Sequence, residues 1–259
     1  FKLYVLGTLA QQVAQGTHTW DEELAVRDDW KSLPSGVMQN EPAGTTHTLR
    51  YFAERMISIS DNTATDHLLF HLGREQVEAM QAQMGHSAPH LNQPFLSTRE
   101  MFVIKLVLSE DERARYVAAD SSERRRILDE EISQLRVSEA DATAWVTPRD
   151  IDTIEWFASA EDLCRAMATL HRMAGEPGLE PVHDILALNP GVQFDPQAWT
   201  YIGFKGGSEP GVLNLTWLLQ RADGRWFVMT VGLNDPQTDI DANAVVALMQ
   251  SAAGLLARE

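Results

Sequence analysis

The chain has 259 residues, 44% of them hydrophobic, with 16 glycines and 11 prolines, enough to bury a sizeable core in one folded unit with room for two lobes. A formal charge of -16 argues against nucleic acid as a partner, because phosphate binding needs a concentrated basic face. No apolar run approaches the ~18 residues of a membrane span, and the single cysteine, Cys164, excludes an intramolecular disulfide.

Leu3, Leu6, Ala10, Val13 and Ala14 form one apolar stripe at helical spacing that ends before Gly16, so Lys2 falls in the first turn of a buried helix. Thr17 to Thr46, rich in Gly, Pro and polar residues, reads as an irregular loop. A second stripe, Leu49, Phe52, Ala53, Met56 and Ile57, breaks after Ser58, which leaves Ser60 in a connection between helices with its side chain free to enter a cleft. The next predicted helix runs from Thr63 to Leu72, with Asp61 or Asn62 as cap and Gly73 as stop, and a shorter one from Glu75 to Met84 ends at Gly85. Ser97-Thr98-Arg99-Glu100 is a capping box ahead of Met101, Phe102 and Ile104.

Arg124, Arg125 and Arg126 are the only dense basic run. Asp129, Glu130 and Glu131 follow at helical spacing, so a solvated, internally paired helix face is expected. Ser159-Ala160-Glu161-Asp162 opens a helix over Leu163 to Met173 with Gly175 beyond it, and Cys164 lies in its apolar pattern with His171 the only base in sequence reach. The chain is predicted to be almost entirely helical to about Ala187. After Asn189-Pro190-Gly191 the pattern becomes that of strands, over Tyr201 to Lys205, Val212 to Gln220 and Trp226 to Leu233, with Asp223-Gly224 as a hairpin turn. A last helix with Val245, Leu248, Met249, Ala252, Leu255 and Leu256 on one side is expected to cover the sheet. A helical lobe over 1–190 and a strand-plus-helix unit over 191–259 follow from this order.

Two metal readings are weak. His67 and His71 stand four apart on a helix, but Leu68 occupies the position where the zinc-protease pattern has glutamate. Asp239, Asp241 and Asn243 resemble the start of a calcium loop, yet Ala244 and Gln250 stand where that loop needs Gly and Glu, so a capped acidic helix start is the better reading.

Ser60-Asp61-Asn62 places a hydroxyl and an amide side by side where an apolar helix stops. Taken singly it is a common helix-start string, and Lys205-Gly206-Gly207 taken singly is no better than a turn. Taken together and in order, Lys2 opening a helix, the central Ser-Asp-Asn and a late Lys-x-Gly on a strand resemble the signature of the penicillin-recognising serine enzymes, class A β-lactamases and related lactamase-like hydrolases. The Phe204-Lys205 strand and the unusual loop over Val137 to Pro148 are also similar to the lactamase-like esterase of clavulanic acid biosynthesis.

The resemblance spans nearly the whole chain and implies an α/β (α+β) fold, a helical lobe plus an antiparallel sheet covered by a C-terminal helix, with a first helix and two opening strands lying upstream of Phe1. It implies a nucleophilic serine two places before Phe1, three residues ahead of Lys2 and so on the same helix face. Lys2 would activate it, Ser60 would pass a proton to the leaving atom, and Asn62 would hold both Lys2 and the substrate carbonyl. Lys205 would neutralise a substrate carboxylate and tune Ser60. Gly206 and Gly207 would let a ligand approach the backbone, and the Ser208 N–H would serve the oxyanion hole. In a lactamase-like esterase Ser97 becomes an outside candidate for a second pocket serine.

Two departures from the family pattern bear on activity. Lys-Gly-Gly lacks the hydroxyl that Lys-Thr-Gly or Lys-Ser-Gly brings to the carboxylate. Val137 to Pro148, where the deacylating Glu-x-x-Leu-Asn loop is expected, contains no such motif, only the carboxylates of Glu139 and Asp141. A weak lactamase or an esterase is therefore expected, with a non-hydrolytic penicillin-binding or docking module as the alternative. The partner is a small molecule, a carboxylate-bearing β-lactam or ester, and no metal or organic cofactor is implied. Export is implied by the resemblance alone.

Overall fold

Helix α1 (Lys2–Ala14) is the axis of the molecule, and its side chains from Lys2 to Ala10 are buried on every side rather than along a single stripe. In the computed structural model, which describes residues 1–258, the reason is the set of partners around it. Leu3, Val5, Leu6 and Leu9 share one core with Phe52 and Met56 of α2 (Leu49–Ser58), Leu68 and Leu69 of α3 (Asn62–Leu72), Met80 of α4 (Arg74–Gln83), and Met167 and Leu170 of α9 (Ala160–Ala174). Full burial of each such side chain contributes about 1.5–3 kcal/mol.

The sheet consists of β3 (Trp199–Glu209), β4 (Val212–Arg221) and β5 (Trp226–Asn234), all antiparallel, with β4 in the centre. The period-2 alternation of β4 sends Leu213, Leu215, Trp217 and Leu219 to one face, against Val245, Met249 and Ala253 of α11 (Ala242–Leu256). Leu218 points the other way and joins the helical core beside α9 and α10 (Pro181–Ala187). Helices thus cover both faces of the sheet.

A third cluster gathers Met101, Val103 and Ile104 of α5 (Thr98–Leu106), Tyr116 of α6 (Glu110–Ala118) and Ile127 of α7 (Ser121–Ile127) with Leu128 and Ile132 of the π-helical turn that follows. The capping box of Ser97 and Glu100 forms as expected. Of the three arginines, Arg126 pairs within its own helical stretch with Glu123, Glu130 and Glu131. Arg125 instead reaches Glu75 and Glu78 on α4, and Arg124 donates to the carbonyls of Tyr116 and Val117.

Other expectations need correction. The loop over Thr17 to Thr46 contains β1 (Glu23–Ala25), which pairs with β2 (Thr46–Thr48). The first long strand extends four residues past Lys205, because Gly206 to Glu209 keep register with Val212 to Leu215 instead of turning. On α11 the buried set is Val245, Met249 and Ala253, spaced four apart. Leu248 and Leu255 lie on another face, 64% and 65% exposed.

Asp61 is the residue that fixes the entry to α3. Fully buried, its carboxylate accepts from Ala64 N at 2.8 Å as the helix cap, and from Val37 N and Met38 N at 2.7 and 3.0 Å. Gly36 makes room for it: with φ of 109°, a Cβ there would lie 2.2 Å from Asp61 Cγ. Asp61→Ala strands these N–H groups and is expected to lower stability by roughly 3–5 kcal/mol, read as the shift of the urea midpoint. A loss below about 1 kcal/mol, the size of a single ordinary cap, would show that the carboxylate does not hold these segments together.

Candidate active site

Ser60 occupies the tight corner between α2 and α3, in the left-handed region with φ of 57°. That conformation costs a non-glycine residue on the order of 1 kcal/mol or more, and the surroundings enforce it. Asp61 N donates to Arg55 O at 3.1 Å, closing the end of α2. Asn189 Nδ2 donates to Ser58 O at 2.7 Å, and Lys2 Nζ donates to Ser60 O at 2.6 Å. The corner aims the Ser60 hydroxyl inward.

Two amines from opposite ends of the chain meet that hydroxyl. Lys2 Nζ, brought by the first turn of α1, lies 3.0 Å from Ser60 Oγ and 2.9 Å from Asn62 Oδ1. Lys205 Nζ, brought by β3, also lies 3.0 Å from Ser60 Oγ and donates to the Gly206 carbonyl. Asn62 is oriented from its own side: its backbone N–H donates to Ser35 O at 2.9 Å and its Nδ2 to Leu33 O at 3.3 Å. Lys2, Ser60, Asn62 and Lys205 thus form one hydrogen-bonded cluster whose outermost members are 203 positions apart in sequence.

The electrostatics separate the two amines. Burial, then the neighbouring Lys205 charge, drives Lys2 well below the ordinary lysine value, with Asp66 and Asp61 opposing only in part. Burial alone lowers Lys205 to about 8. Lys2 is therefore the amine that gives up its proton more readily, and Lys205 the one that keeps its charge at neutral pH. A neutral Lys2 has two N–H groups for its two obligate acceptors, Ser60 O and Asn62 Oδ1, which leaves its lone pair facing the Ser60 hydroxyl. Lys205 donates to the same oxygen. The chain of bonds can pass a proton from one amine to the other through Ser60.

These residues open onto a cleft of about 690 Å³, lined also by Phe102, Trp145, Trp156 and Ser208. The two glycines of Lys-Gly-Gly play different parts. A Cβ on Gly206 would stand 2.7 Å from the Phe204 ring, whereas one on Gly207 would meet nothing within 4 Å. Phe204 itself is wedged against Trp217, 5.0 Å between centroids, and a Cβ on Gly191 would strike it at 2.5 Å. Gly206 is thus held small by packing, and only Gly207 leaves open room.

Glu139 and Asp141 do not reach this cleft. They lie on the short exposed helix α8 (Glu139–Ala144), where Asp141 closes a capping box with Ser138. The carboxylates lining the cleft are Glu155 and Glu209, and both close on Lys105 Nζ at 2.5 Å. Lys105 is fully buried on α5. Burial and the adjoining Glu155 push the Glu209 carboxyl up to about 9, so this side chain keeps its proton at neutral pH. No local pattern marks this trio, because its members are 50 and 104 residues apart.

Other sequence candidates lie elsewhere. Ser97 is buried and committed to its cap with Glu100. His67 has both ring nitrogens engaged, with Thr63 O and Arg27 N, while His71 bonds Glu22 instead of sharing a ligand with His67. The Cys164 thiol is pushed up by burial, and His171 stacks on His183 and Trp226. Asp241 caps α11 and Asp239 bonds Gly211 N and Ile240 N, so no cation loop forms there.

A family model described as the beta-lactamase enzyme family matches residues 1–257. No curated protein matches the chain. Among solved structures, a mutant of PBP-A determined as an acyl-enzyme complex with penicillin G superposes with a TM-score of 0.66 at 16% identity, covering 100% of this chain and 80% of the other. The beta-lactamase of Sphaerobacter thermophilus gives 0.64 at 21% identity over 98% and 79% of the two chains, and that of Francisella tularensis 0.61 at 14% over 100% and 83%. At these identities the structural likeness speaks for the fold, a helical lobe with an antiparallel sheet.

The depressed Lys205 has a thermodynamic signature. Its unfolded-state value is that of an ordinary lysine, 10.5, and its folded value is about 8, so between these the unfolded chain holds more protons than the folded one. Its contribution to stability therefore rises with pH across that window. Between pH 8 and 10 the stability of Lys205→Met is expected to increase less steeply than that of the parent, as measured by urea denaturation at each pH; equal slopes would mean that Lys205 is not desolvated.

Proposed function

The chain belongs to the beta-lactamase enzyme family, and from that membership we propose that it is a serine hydrolase that attacks a carboxylate-bearing β-lactam or ester through an acyl-enzyme. The observation that carries the reading is the Ser60 hydroxyl standing 3.0 Å from both Lys2 Nζ and Lys205 Nζ. A hydroxyl bridging two amines of unequal proton affinity is suited to deliver a proton to a leaving nitrogen or oxygen.

The nucleophile in this proposal is a serine three residues before Lys2, two places ahead of Phe1. Lys2, in its neutral form, takes its proton as it attacks the carbonyl. The resulting oxyanion is met by the N–H of that serine and the N–H of Ser208, which lines the cleft on the edge strand β3. The proton then moves through Ser60 to the leaving atom. Lys205 holds the substrate carboxylate and keeps Ser60 polarised, and Asn62 Nδ2 serves the substrate's amide or ester carbonyl. Binding an anion to a chain of charge -16 depends on this local cation.

Deacylation is the slow step in this reading. Of the two carboxyl groups lining the cleft, Glu155 is tied to the Lys105 amine at 2.5 Å and Glu209 keeps its proton, so neither is free to activate water. Weak lactamase or esterase turnover follows. The same observation supports the second reading, a penicillin-binding module that acylates and does not release.

Protein carrying the residue two places ahead of Phe1 is to be incubated with a fluorescent penicillin and with a chromogenic ester, followed by intact mass. The proposal expects a covalent adduct of one acyl group with slow turnover, and Lys2→Ala is expected to slow acylation by about 10²–10⁴-fold. Acylation unchanged by Lys2→Ala removes that lysine from the mechanism, and a residue other than serine at the expected position ends the acyl-enzyme reading. An adduct that never releases selects the binding module.

A further inference from the structure

Helices α1 and α3 begin together at Lys2 and Asn62 and also end together, where Gln12 Nε2 donates to Leu72 O at 3.0 Å. Just beyond lies a cluster that the chemistry at Ser60 does not use. His18 Nδ1 is 2.7 Å from Glu22 Oε2, and His71 Nε2 is 2.9 Å from Glu22 Oε1. The three donor atoms all lie within 4.8 Å of one another. The side chains are partly covered, at 16%, 32% and 22% exposure for His18, Glu22 and His71.

We propose that His18, Glu22 and His71 form a binding site for a single divalent transition-metal ion, with zinc the best chemical match. Two imidazole nitrogens and one carboxylate oxygen are a donor set suited to zinc and to its neighbours in the first transition row, and poorly suited to magnesium or calcium, which take all-oxygen shells. Bonds of ~2.0 Å in a tetrahedron set neighbouring ligands about 3.3 Å apart. The observed separations of 2.7 and 2.9 Å run to the two different oxygens of Glu22 and must open by roughly 0.4–0.6 Å to reach that spacing, while the two ring nitrogens, within 4.8 Å of each other, close on the ion by side-chain rotation. The fourth position opens to solvent and takes water.

The surroundings favour a cation. His71 lies in the last turn of α3, and His18 follows the end of α1 by four residues, so the carboxyl ends of both helix dipoles approach the site. The donors come from three places in the fold: the loop after α1, the segment ahead of β1, and α3. An ion bound there ties the far ends of the two helices whose first turns present Lys2 and Asn62. Its role is to hold that helix pair in place. The length of α1, roughly 20 Å, separates it from the reacting groups.

The rival position is the stacked pair His171 and His183, whose ring nitrogens lie 3.0 Å apart. The test is calorimetric titration of chelator-treated protein with zinc chloride, with the visible absorption of added Co²⁺ as an independent report of four-coordinate geometry. One Zn²⁺ per chain is expected, with a raised melting temperature. Glu22→Gln and His71→Gln are each expected to weaken binding at least about tenfold and to abolish the thermal shift, while His183→Gln leaves both intact. Far-ultraviolet circular dichroism confirms that each variant is folded, and should one variant not fold, the other and the Co²⁺ spectrum of the parent decide. Absence of stoichiometric zinc binding, or binding that survives both cluster variants, overturns the proposal.

Discussion

Burying two lysine side chains against one hydroxyl is unfavourable on its own terms, and the rest of the molecule is arranged to make it tolerable. Lys2 is almost wholly covered and Lys205 partly so, and water is available to neither in the amount an ammonium prefers. Both answer with a lowered proton affinity, the first more than the second. Both outcomes depend on position to within an ångström, which explains why the elements that carry them are so firmly anchored. Helix α1 is enclosed by four others, Asp61 gathers three backbone N–H groups, and β3 keeps one register with β4 from Tyr201 to Glu209. The left-handed Ser60 is the point at which that rigidity is spent.

Much of this was legible from residue order. The stripe from Leu49 to Ile57 and the break after Ser58 located the corner, the caps at Asp61 and Ser97 formed where their spacing indicated, and the Asp223-Gly224 turn joins β4 to β5. Each of these is a local signal whose physics is complete within a few residues. Lys2 and Lys205 were legible only because their motifs resemble those of a known family, since nothing in periodicity places residues 203 positions apart in one cleft.

What escaped was non-local. Lys105, Glu155 and Glu209 meet only after α5, the irregular stretch ahead of α9 and the end of β3 are in place, and none of the three stands in a pattern that announces it. The histidine pair His67 and His71 was visible as a spacing, but the fold divides it: one ring is sealed in the core by Thr63 and Arg27, the other turns toward the loop after α1. The solvent-facing Leu248 and Leu255 of α11 show the same limit from the other side. An apolar helix has more than one apolar face, and which one is used depends on the sheet it meets.

The wedge made by Phe204 has consequences for how this cleft can change over evolutionary time. The ring fills the space that a side chain at residue 206 or at residue 191 would need, so three positions are constrained as a unit. A lineage acquiring a hydroxyl beside Lys205 would have to shrink the aromatic first or at the same moment, and an intermediate bearing only one of the changes pays with a steric collision or a void. Ligand preference at this end of the groove is therefore buffered against single-nucleotide drift, and paired substitutions at 204 and 206 are the route by which it would diversify.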